Sequence, residues 1–201
     1  GGKANDVGNG HTPGIGNSQD LTKIYGKILR IDVDSTAAGS VPAQEGPTGD
    51  VNVNHPENPP EPTWITSSGS LYGIPPDNPF AKTQPKILDS YAYKMVPPEI
   101  YAYGLRNPAY MAFDSGGNNT LFVGEAGQNL FESVTVILKG GNYGWNIHEG
   151  THCFDPGKPL QPPENCNVTG LLGEPLIGPI FEGGHDLGLV VVGGYLYRGP
   201  S

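Results

Sequence analysis

Glycine and proline punctuate this chain so densely that no long regular element fits between them: 31 Gly and 21 Pro make up about a quarter of its 201 residues. Gly weakens helices and strands through its backbone freedom, and Pro through its missing N–H. A composition this rich in both borders on low-complexity disorder. The apolar residues argue against that outcome, because they gather in short blocks between the Gly/Pro segments and are accompanied by ten Tyr. Residues 25–34 (YGKILRIDVD) alternate apolar and polar side chains after Gly26, the period-2 mark of a half-buried strand. Residues 121–124, 133–138 and 190–198 read the same way. No segment keeps i, i+3, i+4 apolar spacing over three turns, so little helix is expected. The chain predicts one all-β domain over residues 1–201, built of short strands and long loops.

The balance of charge excludes some partners. A formal net charge of −9 with no run of Lys or Arg leaves no surface to track phosphates, so nucleic acid is not expected as a partner. The longest apolar block, residues 187–197, is interrupted by Gly188, Gly193 and Gly194 and falls far short of the roughly 18 residues of a membrane span. The opening GGKANDVGNG carries neither an initiator Met nor a signal peptide, and reads as the start of a processed or truncated chain.

Cys153 and Cys166 lie in the Pro-rich segment THCFDPGKPLQPPENCNVT without the CxxC spacing of a zinc or redox dithiol site. They are either a disulfide, which would stabilise the fold by roughly 3 kcal/mol on the chain-entropy estimate, or two free thiols. Sequons at Asn118 (Asn-Asn-Thr) and Asn167 (Asn-Val-Thr) fall in turn-like segments where glycosylation is sterically open. The Cys pair and the sequons together favour a disulfide-bonded, extracellular or secreted glycoprotein.

Six blocks carry a family likeness, in a consistent order: residues 16–34 (GNSQDLTKIYGKILRIDVD), 72–80 (YGIPPDNPF), 98–108 (PEIYAYGLRNP), 124–132 (GEAGQNLFE), 139–150 (KGGNYGWNIHEG) and 193–199 (GGYLYRG). Together they resemble the glucose/sorbosone dehydrogenase family, six-bladed β-propellers that include quinone-dependent sugar dehydrogenases and secreted hedgehog-interacting-protein-like proteins. The resemblance implies part of such a propeller, with residues 35–71 as a polar loop insertion. Blades of about 40 to 50 residues make a six-bladed ring of roughly 250 residues or more, so this chain would supply three to four blades. A missing segment or a further chain would complete the ring.

Arg106 and Asn107 stand at a strand-to-loop junction before Pro108, which keeps Asn107 out of helical geometry. A guanidinium beside a carboxamide suits a planar ligand rich in carboxylates and carbonyls, because Arg presents a rigid fork of donors. An arginine so placed also serves as a structural hub tying loops together, and spacing does not separate the two readings. In the resembled dehydrogenases the matching residues contact pyrroloquinoline quinone (PQQ), so the resemblance implies a cofactor role for Arg106 and Asn107. It likewise puts Gly127 and Gln128 where backbone carbonyls hold the calcium ion that bridges to the cofactor. A Gly there permits the close approach that carbonyl ligation needs, as it would in an ordinary turn.

The chain departs from the family pattern at three places. After the Gly-Gln loop the usual pair of acidic residues and a further Asp are replaced by Glu132, Ser133, Val134 and Thr135. The usual Asp-Val before that loop reads Glu125-Ala126, and the aromatic-basic pair after Arg-Asn-Pro reads Ala109-Tyr110. Fewer carboxylates weaken a calcium site. The general base of the resembled enzymes is a His in an upstream segment, so no catalytic residue is expected in this chain; His11, His55, His148, His152 and His185 all lie elsewhere in the pattern.

Two functions are compatible with these residues. One is a quinone-dependent sugar (aldose) dehydrogenase, oxidising a sugar hydroxyl by hydride transfer to PQQ. The other is a secreted, non-catalytic propeller whose loops bind a protein or a glycan.

Overall fold

A computed structural model gives the fold and describes residues 11–34, 41–42, 72–82 and 96–200. Most of the insertion expected over residues 35–71 lies outside the described residues. Among those described, the only helix is the single turn α1 (Gly16–Gln19). The strands are β1 (Lys27–Leu29), β2 (Val41–Pro42), β3 (Gly73–Ile74), β4 (Ile100–Tyr103), β5 (Pro108–Phe113), β6 (Leu121–Glu125), β7 (Phe131–Ile137), β8 (His148–Glu149), β9 (His152–Cys153) and β10 (Phe181–Gly184). The protein is all-β, as its short alternating blocks predict.

The largest sheet has four antiparallel strands in the order β10-β7-β6-β5, the size of one propeller blade. The turn between β5 and β6 is closed by Asp114 and Thr120, and Asn119 takes the left-handed conformation (φ 58°) that Asn tolerates better than most residues. Three two-stranded pairs, β1 with β4, β2 with β3 and β8 with β9, complete the ladders. The strand expected over residues 190–198 does not form. Those residues cross the face of the large sheet, where the Val191 N–H donates to Glu132 Oε2 (2.8 Å), Tyr110 and Tyr195 meet edge to face, and Arg198 pairs with Asp114. Period 2 describes which side chains could share a face; a strand also needs a hydrogen-bonded partner backbone, and among the described residues none pairs with this segment.

Two apolar clusters hold the strands together. Ile28, Ala102, Leu105, Leu121, Val123, Ile137 and Tyr143 join β1 and β4 to the large sheet. Leu21, Phe80, Val96, Ile100 and Tyr103 form the second, which also draws on β4. Each fully buried Ile or Leu contributes about 1.5–3 kcal/mol relative to exposure. In a buried polar pair, Gln19 Nε2 donates to Asn142 Oδ1 (2.8 Å) and Asn142 Nδ2 donates back to Gln19 Oε1 (2.8 Å). Burying amides is tolerable only because they satisfy each other.

Candidate functional site

Two connections meet at one end of the large sheet. The link between β4 and β5 carries Arg106 and Asn107, and the link between β6 and β7 carries Gly127 and Gln128. Backbone hydrogen bonds set the first link: the Leu105 N–H donates to Gly26 O and the Ala126 N–H to Asn107 O, both at 3.1 Å. Gly104 allows the sharp entry, since its φ of 77° is left-handed and a Cβ would land on the Asn142 side-chain oxygen.

The four residues singled out from sequence are brought together here. Arg106 Nε donates to Gln128 Oε1 (2.8 Å), and Arg106 Nη1 donates to the Ala126 carbonyl (2.9 Å). The guanidinium carbon lies 5.8 Å from the centre of the Trp145 ring, within cation–π range. The Arg106 and Asn107 N–H groups both donate to the Glu125 carboxylate. Burial nevertheless dominates and pushes that carboxyl up to about 7, the Arg106 charge only partly opposing it.

Glu149, on β8, organises the second link and was not foreseen from sequence. Its Oε1 accepts the N–H groups of Gln128 (2.7 Å), Asn129 (2.6 Å), Leu130 (2.9 Å) and Phe131 (3.3 Å). One buried carboxylate thus gathers four consecutive peptide donors, which fixes the loop that holds Arg106 through Gln128. Gly127 is required for this closure: a Cβ there would land on the Phe131 carbonyl oxygen.

Glu132, the acid kept where the family pattern has more, is also engaged within the protein. Its Oε1 accepts the Gly127 N–H (3.2 Å) and lies 2.8 Å from His185 Nε2, while Oε2 accepts from Val191. A small cavity opens among these groups, with Arg106, Glu125, Phe131, Trp145, His148 and Glu149 in its wall. Burial holds the His148 imidazole below its ordinary pKa, partly offset by its bond to the Asn167 backbone.

The donor set can be tested against a quinone and a calcium ion. A flat, carboxylate-bearing ring would find one cation, Arg106, over an indole face, Trp145, and these fit its edge. For calcium, the buried Asn129 Oδ1 has no hydrogen-bond partner, an oxygen of the kind a hard cation takes, on the loop that carries the Gly127 and Gln128 carbonyls.

The remaining expected sites are farther out. Cys153 and Cys166 form a disulfide with Cα atoms 5.7 Å apart. Asn118 and Asn167 are both exposed. No helix among the described residues is long and apolar enough to cross a membrane.

The sequence model of a family described as Glucose / Sorbosone dehydrogenase matches residues 64–165, just over half of the chain. The HIPL1 protein of Arabidopsis thaliana is 32% identical over 190 residues, covering 92% of this chain. The chain spans only 22% of that relative's length. Quinoprotein glucose dehydrogenase B of Acinetobacter calcoaceticus is 40% identical over 57 residues, 28% of this chain and 12% of its own. Among solved structures, the PQQ-bound aldose sugar dehydrogenase of Streptomyces coelicolor aligns with 85% of this chain and 29% of its own, at 22% identity and a TM-score of 0.42.

Proposed function

The chain belongs to the glucose/sorbosone dehydrogenase family, and we propose on that premise that it is part of an extracellular PQQ-dependent sugar dehydrogenase. The observation that carries this reading is the Arg106 guanidinium, oriented by Gln128 and Ala126 above the Trp145 ring at the cavity wall. When bound, PQQ supplies the two-electron acceptor for oxidation of a sugar hydroxyl. Arg106 would hold a carboxylate of that cofactor, and Asn107 would flank it. The Gly127 and Gln128 carbonyls, with Asn129 Oδ1, would hold calcium. Glu149 and Glu125 keep the two links in register, so that the fork of Arg106 is set before a ligand arrives. The base that takes the hydroxyl proton lies outside this chain.

The test uses the full-length protein. Equilibrium titration with PQQ in the presence of calcium is expected to show saturable binding that Arg106→Ala weakens at least tenfold, and the loaded wild type is expected to oxidise an aldose in a dye-linked assay. A folded full-length protein that neither binds PQQ nor oxidises sugars would overturn the proposal.

A second reading, a non-catalytic propeller that binds a protein or glycan, is favoured by one observation. Glu132, the acid retained beside the calcium loop, is already held by Gly127, His185 and Val191. Failure of PQQ binding would move the weight to that reading.

A further inference from the structure

We infer that His148, Cys153 and Cys166 form a zinc site that opens when their disulfide is reduced. A ring nitrogen of His148 and the two Sγ atoms all lie within 4.8 Å of one another, and all three residues are half-buried. The convergence is built by the backbone and not only by the S–S bond. Cys153 stands directly opposite His148 in the β8–β9 pair. The Phe154 N–H donates to the Ile147 carbonyl at 2.9 Å, which holds the next residue of β9's exit against the chain just before His148. On the Cys166 side, the Leu176 N–H donates to Val168 O (3.0 Å) and the Gly170 N–H to Glu174 O (2.9 Å), anchoring the returning chain. The His148 ring also bonds to the backbone of Asn167, the neighbour of Cys166.

None of these ties runs through the sulfur atoms. They also supply what a metal-bound imidazole needs, because a ring nitrogen engaged with the backbone orients the other toward the metal. The ligand set, two thiolates and one imidazole, is soft enough for zinc and leaves a fourth position for water.

The chemistry balances as follows. A dithiol reductant attacks the disulfide, the Cys153–Cys166 S–S bond breaks, and the reductant leaves as its own disulfide after transferring two electrons and two protons to the protein sulfurs. Zinc then binds, and the two thiols release two protons. In the oxidised protein the same sulfurs are bonded to each other and carry no charge, so the site is closed. This inference does not depend on the quinone reading.

The experiment reduces the protein with dithiothreitol, removes the reductant by anaerobic desalting, and titrates with zinc alone against a chromophoric chelator. One equivalent bound by the reduced protein and none by the oxidised protein is expected, with cobalt substitution giving a thiolate-to-metal charge-transfer band. His148→Ala should weaken zinc binding at least tenfold, and the Cys153→Ala/Cys166→Ala double variant should bind none. The inference is overturned if the reduced protein binds no zinc, if oxidised protein or the double variant binds equally, or if His148→Ala leaves affinity unchanged. Loss of the β-sheet circular dichroism signal on reduction that zinc does not restore would overturn it too, whereas restoration by zinc would support it.

Discussion

Arg106 Nε donates to Gln128 Oε1 at 2.8 Å, across two loops whose residues are separated by the whole of β5 and β6. The bond matters because Nη1 of the same guanidinium is fixed by the Ala126 carbonyl, so the fork has one orientation. Arg106→Lys would keep the charge and lose the fork. At least a tenfold loss of PQQ affinity is expected for this variant, with melting temperature nearly unchanged. Isothermal titration beside thermal unfolding checks both.

Glu149 supports four peptide N–H groups through one oxygen. Glu149→Ala would leave those four part-buried donors without their shared acceptor, at a cost of about 3 kcal/mol. Glu149→Gln keeps an oxygen there and should cost less. Urea unfolding gives the loss, and amide exchange should accelerate first at residues 128–131.

Glu125 gives the site a pH dependence with a definite sign. Its folded-state pKa of about 7 stands above the ordinary 4.5, so between those values the folded chain keeps a proton that the unfolded chain has released. The associated stabilisation is complete below pH 4.5 and is lost as pH rises through 7, by about 3 kcal/mol at most, since one pKa unit is about 1.4 kcal/mol. Glu125→Gln stays neutral at every pH. The difference in stability between wild type and this variant should therefore slope between pH 4.5 and 7 and level off above; a flat difference would contradict the assignment.

Cys153 and Cys166 close a loop of sequence separation 13. Reduction in the absence of metal should add two mass units and lower stability by about 3 kcal/mol on the chain-entropy estimate. Intact-mass spectrometry before and after reduction, paired with denaturant melts, measures both.

Much of the fold was legible because alternation and Gly/Pro punctuation are local properties. β6 and β7 fall within two residues of the predicted ends, and β1 lies inside the predicted 25–34 block. Residues 190–198 show the limit: Val190 and Val192, then Tyr195 and Tyr197, each keep a spacing of two, but the Gly193–Gly194 pair shifts the phase between them, and all four are exposed and pair with no strand among the described residues. Motif likeness singled out Arg106 and Gln128, whose side chains are hydrogen-bonded to each other. Glu149 was not singled out, since its partners lie 18 to 21 residues away, and nothing near it in sequence names the backbone that it will face. The Gln19–Asn142 pair was hidden for the same reason.

That pair also governs the order in which the chain can mature. Gln19 and Asn142 are 123 residues apart, so the turn α1 cannot lock until the chain through residue 142, with β4 to β7 inside that span, is in place. Contacts of such span come late and slow the final step of folding. Until then the Gln19 amide has no matching carboxamide, and the two reciprocal hydrogen bonds at 2.8 Å form only when α1 and residue 142 meet in register.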